Sequence, residues 1–206
     1  CSLVGSEMCI RDSKNLKDWT DKNDKISHST GKFFSIQGIR VSTNYGLVPQ
    51  WDQPIINQPE IGFLGFIVQR KQNVLHFLLQ AKIEPGNLNV IQLSPTLQAT
   101  RSNYTRVHKG RSPLYLEYFT GEKKVEILVD QLQSEQGARF YQKRNRNIIV
   151  EVDENEELPV YENFVWASLG QIKELLTYPN VVNMDTRTVI SCIQYGNSVS
   201  YTHLTL

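Results

Sequence analysis

Cysteine is scarce in this sequence and badly placed for cross-links. Three occur in 206 residues, and two of them, Cys1 and Cys9, sit in the opening stretch CSLVGSEMCIRDS, which has no helical or alternating period. Setting that stretch aside leaves Cys192, and a lone thiol closes no internal disulfide, so a reduced cytoplasm is the expected location. Long apolar runs are missing too. Nothing approaches the roughly 20 residues that cross a bilayer, so no membrane partner is expected. Charge of one sign is also lacking: 22 Lys and Arg stand against 21 Asp and Glu. That balance gives no global basic field, and no nucleic-acid partner is expected despite the local cluster of Lys143, Arg144 and Arg146.

The two ends stand apart from the rest. SEMCIRDS near the start and VSYTHLTL at the close resemble peptides translated from sequencing-adapter DNA. No basic segment followed by an apolar core marks the start as a secretory signal, since Glu7 and Asp12 interrupt it. The expected organisation is therefore residues 1–13 and 198–206 as non-native segments around one domain at 14–197, a length that suits a single full core.

Familiar catalytic signatures are absent as well. No Gly-Lys-Ser/Thr forms a phosphate loop, and Gly62 and Gly65 do not make a dinucleotide turn. His28, His76 and His108 are too scattered to announce a zinc site. No Gly-x-Ser-x-Gly elbow supplies a hydrolytic serine.

What is present predicts an α+β domain, an α/β sandwich with a mixed sheet flanked by helices. Phe33, Ile36, Ile39 and Val41 lie in a β-rich stretch with Gly38 as an expected bulge, and another strand is expected at Gln53 to Asn57. Ile61 to Gln69 and Val74 to Ile83 form the clearest hairpin, turned at Arg70 to Asn73. In its second arm Leu75, Phe77 and Leu79 alternate with His76, Gln80 and Lys82, joined by Leu78, predicting one core face and one face carrying polar groups. Further strands are expected at Tyr115 to Phe119, Val125 to Leu132 and Asn147 to Val152, with a helix at Glu135 to Lys143 and an acidic loop at Asp153 to Pro159. Ser168 is placed to cap a helix over Leu169 to Leu176, and Asp185 to cap a last helix through Cys192.

Three polar stretches exceed what a solvated surface needs. Leu78 to Arg111 carries Gln80, Lys82, Glu84, Gln98, Arg101, Asn103, Tyr104 and Arg106. Amides and arginines outnumber the Lys and Glu that solvated faces favour. Leu128 to Asn147 holds Gln133, Glu135, Arg144 and Arg146, whose guanidinium forks suit phosphate. Val181 to Thr188 contributes Asp185 and Arg187, read as a helix cap and its partner.

These same blocks, LHFLLQAKIEPGN, QLSPTLQATRSNYTRVHKG, LQSEQGARF, KRNRN and NVVNMDTRTVISC, resemble the NDP-hexose 2,3-dehydratase family from about Trp19 to Ile193. The resemblance implies one copy, the N-terminal one, of a tandem Nudix-like repeat, although the Nudix hydrolase signature is not found in this chain. It also implies a homodimer of the full-length two-copy protein. The implied substrate is a dTDP-4-keto-6-deoxyhexose that loses its C3 proton and C2 hydroxyl with no redox cofactor. Such a reaction needs a base, donors for the enolate oxygen and an acid for the leaving hydroxyl. Glu84 and Glu135 are then the carboxylate candidates and Tyr104 a phenolic one, with Lys82 or His76 as acid or enolate partner. Substrate-binding candidates are Trp51, stacking on thymine, the polar Gln80, Gln98, Asn103 and Gln133, and Arg101, Arg106, Arg144 and Arg146 for pyrophosphate. Structural roles stay open for His76, Glu84 and Glu135, and core packing for Trp51 and Trp166. A non-catalytic sugar-nucleotide-binding or dimer-forming copy is the alternative function, and a Nudix-like pyrophosphohydrolase the third.

Overall fold

The computed structural model describes residues 15–100 and 112–194. A four-stranded antiparallel meander comes first: β1 (Trp19–Lys22), β2 (Lys25–His28), β3 (Ser35–Ser42) and β4 (Gln50–Asn57). Gly38 pairs in register with Pro54, so the expected bulge is absent: the ladder runs unbroken from Ser35 to Ser42.

The second sheet is mixed and holds the core. β5 (Gly62–Lys71) lies at its centre, antiparallel to β6 (Val74–Ile83) and parallel to β10 (Arg144–Val152). β9 (Glu126–Ser134) and β11 (Phe164–Ser168) form the edges, while the short β7 (Ile91–Ser94) and β8 (Leu97–Ala99) pair with β6 and β5. The β5–β6 hairpin turns through Gln72 and Asn73, both with positive φ, the backbone twist a two-residue connection requires. The α+β class predicted from sequence is what the chain adopts.

Both faces of β5 are covered, which explains its almost continuous apolar run. On one face Phe66 and Val68 pack with Phe77, Leu79 and Ile149 under the two helices, α1 (Leu169–Leu175) and α2 (Met184–Ser191), through Ile172, Val189 and Ile190. On the other, Ile67 packs with Leu78, Ile148 and Val150 beneath Tyr115, Tyr118 and Phe119. The expected polar face of β6 is therefore a second core around the fully buried Leu78. Ser168 caps α1 as predicted: its hydroxyl accepts from Gln171 N while the Gln171 side chain accepts from Ser168 N.

Two elements differ from the sequence expectation. Tyr115 to Phe119 is no strand but a 3-10 turn at Leu116–Tyr118, entered through Tyr115 at φ 63°. Its aromatics are worth more as a plug over the sheet than as a ladder, and the Phe119 ring lies against Gly65, where a side chain would leave no room. Glu135 to Lys143 forms no helix; it is the connection of the β9–β10 hairpin, closed by Glu135 N donating to Lys143 O at 2.8 Å. Tertiary pairing of the flanking strands overrides the modest local helix propensity.

Candidate active site

The central sheet forks. The first half of β5 pairs with β8, Leu64 opposite Gln98, and its second half pairs with β6, Val68 opposite Phe77. Beyond the fork β6 pairs instead with β7, Lys82 opposite Gln92. Thr96, almost fully buried, sits in the crotch: its hydroxyl accepts from Ile67 N at 2.9 Å and donates to Leu78 O at 2.5 Å. It thus replaces the backbone bonds lost where the strands part.

The opening carries charge. Lys82 and Glu84 line one arm of the fork and Gln98 the other, with Lys82 Nζ 3.8 Å from Glu84 Oε1. The start of α2 is pinned over this mouth by Leu93 N donating to Val181 O and Asn183 N to Leu93 O, at 2.8 and 3.0 Å. Asn183, not Asp185, caps α2: its Oδ1 accepts from Thr186 N at 2.8 Å. Its Nδ2 also reaches Glu84 Oε2 and Gln98 Oε1, both at 3.4 Å. The expected cap, Asp185, is left in the first turn, 8% exposed, and Arg187 beside it points outward with no ion pair to Asp185 among the described residues. The sequence Asn-Met-Asp offers two capping residues two positions apart, so composition alone could not choose between them.

The opposite wall comes from β9 and β10. Asn145 Nδ2 donates to Glu135 Oε2 at 2.7 Å, and Asn147 is fully buried with its Oδ1 unpartnered. Lys143 is nearly buried and its ammonium donates to Glu60 O. Strand alternation sorts the KRNRN block. Lys143, Asn145 and Asn147 turn into the cleft, while Arg144 is exposed and Arg146 forms a bidentate pair with Asp130 at 2.7 and 2.6 Å.

Two abutting cavities of about 210 Å³ each occupy this cleft and share Leu64, Glu135, Asn145 and Asp185. Together they reach the volume of a typical small-molecule site. Burial, with Glu135 and Glu84 nearby and only Lys82 opposing, pushes the Asp185 carboxyl up to about 6. Burial likewise lowers the Lys82 ammonium, against the pull of Glu84 and Asp185, and lowers Lys143 against Glu60 and Glu135. The cleft thus concentrates perturbed groups, as functional sites do.

Of the residues expected from sequence, Lys82, Glu84, Gln98 and Glu135 come together here, with Gln133 on the rim. His76 does not. It lies six residues up β6, roughly 20 Å away at strand spacing, with Nδ1 at 3.0 Å from Val74 O. Gln80 lines neither cavity, and Trp51 stands on β4, 40% exposed, donating to Gln53 Oε1. It is therefore not core; Trp166 is half-buried under the Lys71 ammonium. Arg101, Asn103, Tyr104 and Arg106 lie outside the described residues. Asp185, Asn183, Asn145 and Lys143 fall within the polar stretches read from sequence but are not among its singled-out candidates. The available signal was the period-2 alternation of KRNRN and the doubled cap ahead of α2.

The model of the family described as NDP-hexose 2,3-dehydratase matches residues 10–193. The chain is 55% identical over 177 residues to a dTDP-4-dehydro-6-deoxy-alpha-D-glucopyranose 2,3-dehydratase of Saccharopolyspora spinosa, covering 86% of this chain and 36% of that protein. Proteins of the same name from Amycolatopsis orientalis and Streptomyces violaceoruber are 47% and 48% identical, with 82% and 86% of this chain and 37% and 40% of theirs covered. The chain therefore spans two fifths or less of the length of these curated relatives. Among solved structures, an ADP compounds hydrolase aligns with a TM-score of 0.49 at 13% identity, over 87% of this chain and 94% of that one, a likeness too loose to bear on chemistry. On the family match and the relatives' identity, the chain belongs to the NDP-hexose 2,3-dehydratase family.

Proposed function

We propose that this chain forms one Nudix-like copy of a longer cytoplasmic, homodimeric enzyme that removes water across C2 and C3 of dTDP-4-keto-6-deoxyglucose. The observation that carries the reading is the forked cleft: Glu135, Asp185, Lys82 and Lys143 converge in a partly buried space of small-molecule size, with Glu84 bonded to Gln98 at its edge, in a chain 55% identical to a protein named for that reaction. The matched segment is 36% to 40% of the relatives' length, which leaves room in them for a second copy.

The chemistry follows from the substrate. Its C4 ketone acidifies the C3 hydrogen, so a carboxylate in the cleft accepts that proton while the bonding pair moves onto the C4 oxygen. The resulting enediolate expels the C2 hydroxyl, which leaves as water with a proton from an ammonium. Lys82 suits this task, because burial lowers its pKa and eases proton release. The product is a 2,3-enol that becomes a 3,4-diketo sugar. Lys143 and the amides of Gln98 and Asn145 are donors for sugar oxygens. Arg101 and Arg106, outside the described residues, are retained as candidates for the pyrophosphate.

A full-length protein carrying this segment, incubated with dTDP-4-keto-6-deoxyglucose in deuterated water without added metal, is expected to yield a sugar lacking the C2 oxygen and carrying deuterium at C2. Binding without turnover would instead identify an ancillary binding copy. Release of dTMP would identify a pyrophosphohydrolase.

A further inference from the structure

Two carboxylates, Glu135 and Asp185, line the cleft and a third, Glu84, lies at its edge, and their hydrogen bonds set them apart. Both oxygens of Glu84 are occupied: Oε1 accepts from Gln98 at 2.8 Å and faces Lys82 at 3.8 Å, while Oε2 accepts from Asn183 at 3.4 Å and Asn87 at 3.5 Å. Glu135 is similarly held, with Oε2 accepting from Asn145 at 2.7 Å and Oε1 from Gln136 N at 3.2 Å. Oxygens engaged in this way hold neighbouring groups in place and are not left open to a substrate.

Asp185 differs on each count. It is 8% exposed and lines both cavities, and among the described residues no group donates a hydrogen bond to its carboxylate. An acidic residue in a first helical turn ordinarily serves the helix, but here Asn183 already takes the Thr186 N–H. Its lone pairs are left for a ligand.

Taking the dehydratase reading as its premise, we infer that Asp185 is the carboxylate that removes the C3 proton, with Glu84 and Glu135 as positioning residues. Glu84 ties Lys82, Gln98 and Asn183 into one frame, so it orients the acid and the α2 cap together. Glu135 fixes Asn145. The charged groups facing Asp185 are Lys82 on β6, Glu84 just after it and Glu135 just after β9. Burial raises its affinity for a proton, and two negative neighbours against one positive add to this. In the cycle the C3–H bond breaks, the proton goes to Asp185 and the electron pair to the C4 oxygen. The C2–O bond then breaks and Lys82 supplies the proton that completes water. The carboxyl proton on Asp185 exchanges with solvent before ketonisation, which resets both groups: C2 takes a solvent-derived proton from Asp185, and the enol hydroxyl returns one to Lys82.

The test uses a full-length protein carrying this segment. D185N is expected to lower kcat by about 10² to 10⁴-fold, the span general-base removal produces, with KM within about threefold. D185E is expected to recover part of the rate. The acid limb of kcat/KM, expected near pH 6 in the unsubstituted protein, should vanish from the residual activity of D185N, which a merely structural role would not produce. E84Q and E135Q should each cost less than D185N and keep that limb. A D185N rate within tenfold of the unsubstituted enzyme, or a larger loss in E135Q than in D185N, overturns the assignment and leaves the dehydratase reading standing. Failure of the unsubstituted protein to dehydrate the sugar overturns both.

Discussion

The two ends of the β5–β6 pair face opposite fates. At the hairpin end the ladder is closed from Val68–Phe77 to Lys71–Val74, and its polar groups are spent on local structure. His76 turns to Val74 O, Arg70 pairs with Glu151 at 3.3 Å, and Gln69 ties the acidic loop through Asp153 O and Glu156 O, both at 2.9 Å. The hollow there is the larger, about 510 Å³, yet it is walled by Arg70, Lys124 and the acidic loop with no convergent buried group. At the forked end two smaller cavities collect the buried Asp185, Lys143 and Asn147. Chemistry gathers where a sheet opens, because there side chains must satisfy what the ladder no longer does. Volume alone would select the hairpin end, where the charged groups do not converge.

The most damaging way to erase this contrast is to remove the wedge. T96V deletes one hydroxyl that serves both Ile67 N and Leu78 O, leaving two buried groups unpaired. A loss of about 4 kcal/mol is expected from chemical denaturation, at roughly 1–3 kcal/mol per orphaned group. T96S, which keeps the hydroxyl, should recover most of it.

Charge at the fork should show in the pH dependence of stability. The Asp185 carboxyl titrates at about 6 when folded, above its ordinary 3.8, so the native state binds that proton more tightly than the unfolded chain does. Its contribution is then fully favourable below about pH 4 and is lost as pH rises through about 6. D185N is expected to be the more stable protein at pH 7.5, by up to about 3 kcal/mol at roughly 1.4 kcal/mol per pK unit. The advantage should fade by pH 4. Paired with the expected loss of turnover, this would mark Asp185 as a residue kept at a cost to stability.

Between the two ends, G65A should cost about 2 kcal/mol, within the usual range for overpacking. The added Cβ would lie 2.3 Å from the Phe119 ring, which is 4% exposed and has little space to move. Thermal melts with G65A/F119L should recover part of the loss. The smallest effect belongs to the closed end: H76A is expected to change stability by no more than about 0.5 kcal/mol and activity less than twofold. A large loss of turnover in H76A would break the division between the ends.

How much was legible in advance varies with the kind of signal. The β5–β6 hairpin and the Ser168 cap are legible because each rests on contiguous residues: an apolar run, a short polar link, and a Ser just ahead of the apolar face of Leu169, Ile172 and Leu175. Four of the expected cleft residues, Lys82, Glu84, Gln98 and Glu135, were found from an excess of polar side chains in stretches without hydrophobic period. Tyr115 to Phe119 failed because apolar content is the same for a strand and a plug. The Glu135 to Lys143 segment failed because its ends are held by strands that no local pattern displays.

The sequence by itself determined the class of the domain, its central hairpin, one capped helix and the stretches from which a polar cleft would be drawn. Those are short-range properties, set by side-chain period and backbone preference. Only the tertiary structure decided which end of the sheet opens, that Asn145 and Asn147 rather than Arg144 and Arg146 turn into the cleft, and that Asn183 caps α2 while Asp185 stays without a donor among the described residues. Each of these depends on partners distant in sequence. Whether a carboxylate is a cap, an anchor or a base is a matter of which donors reach it, and folding alone brings those donors into place.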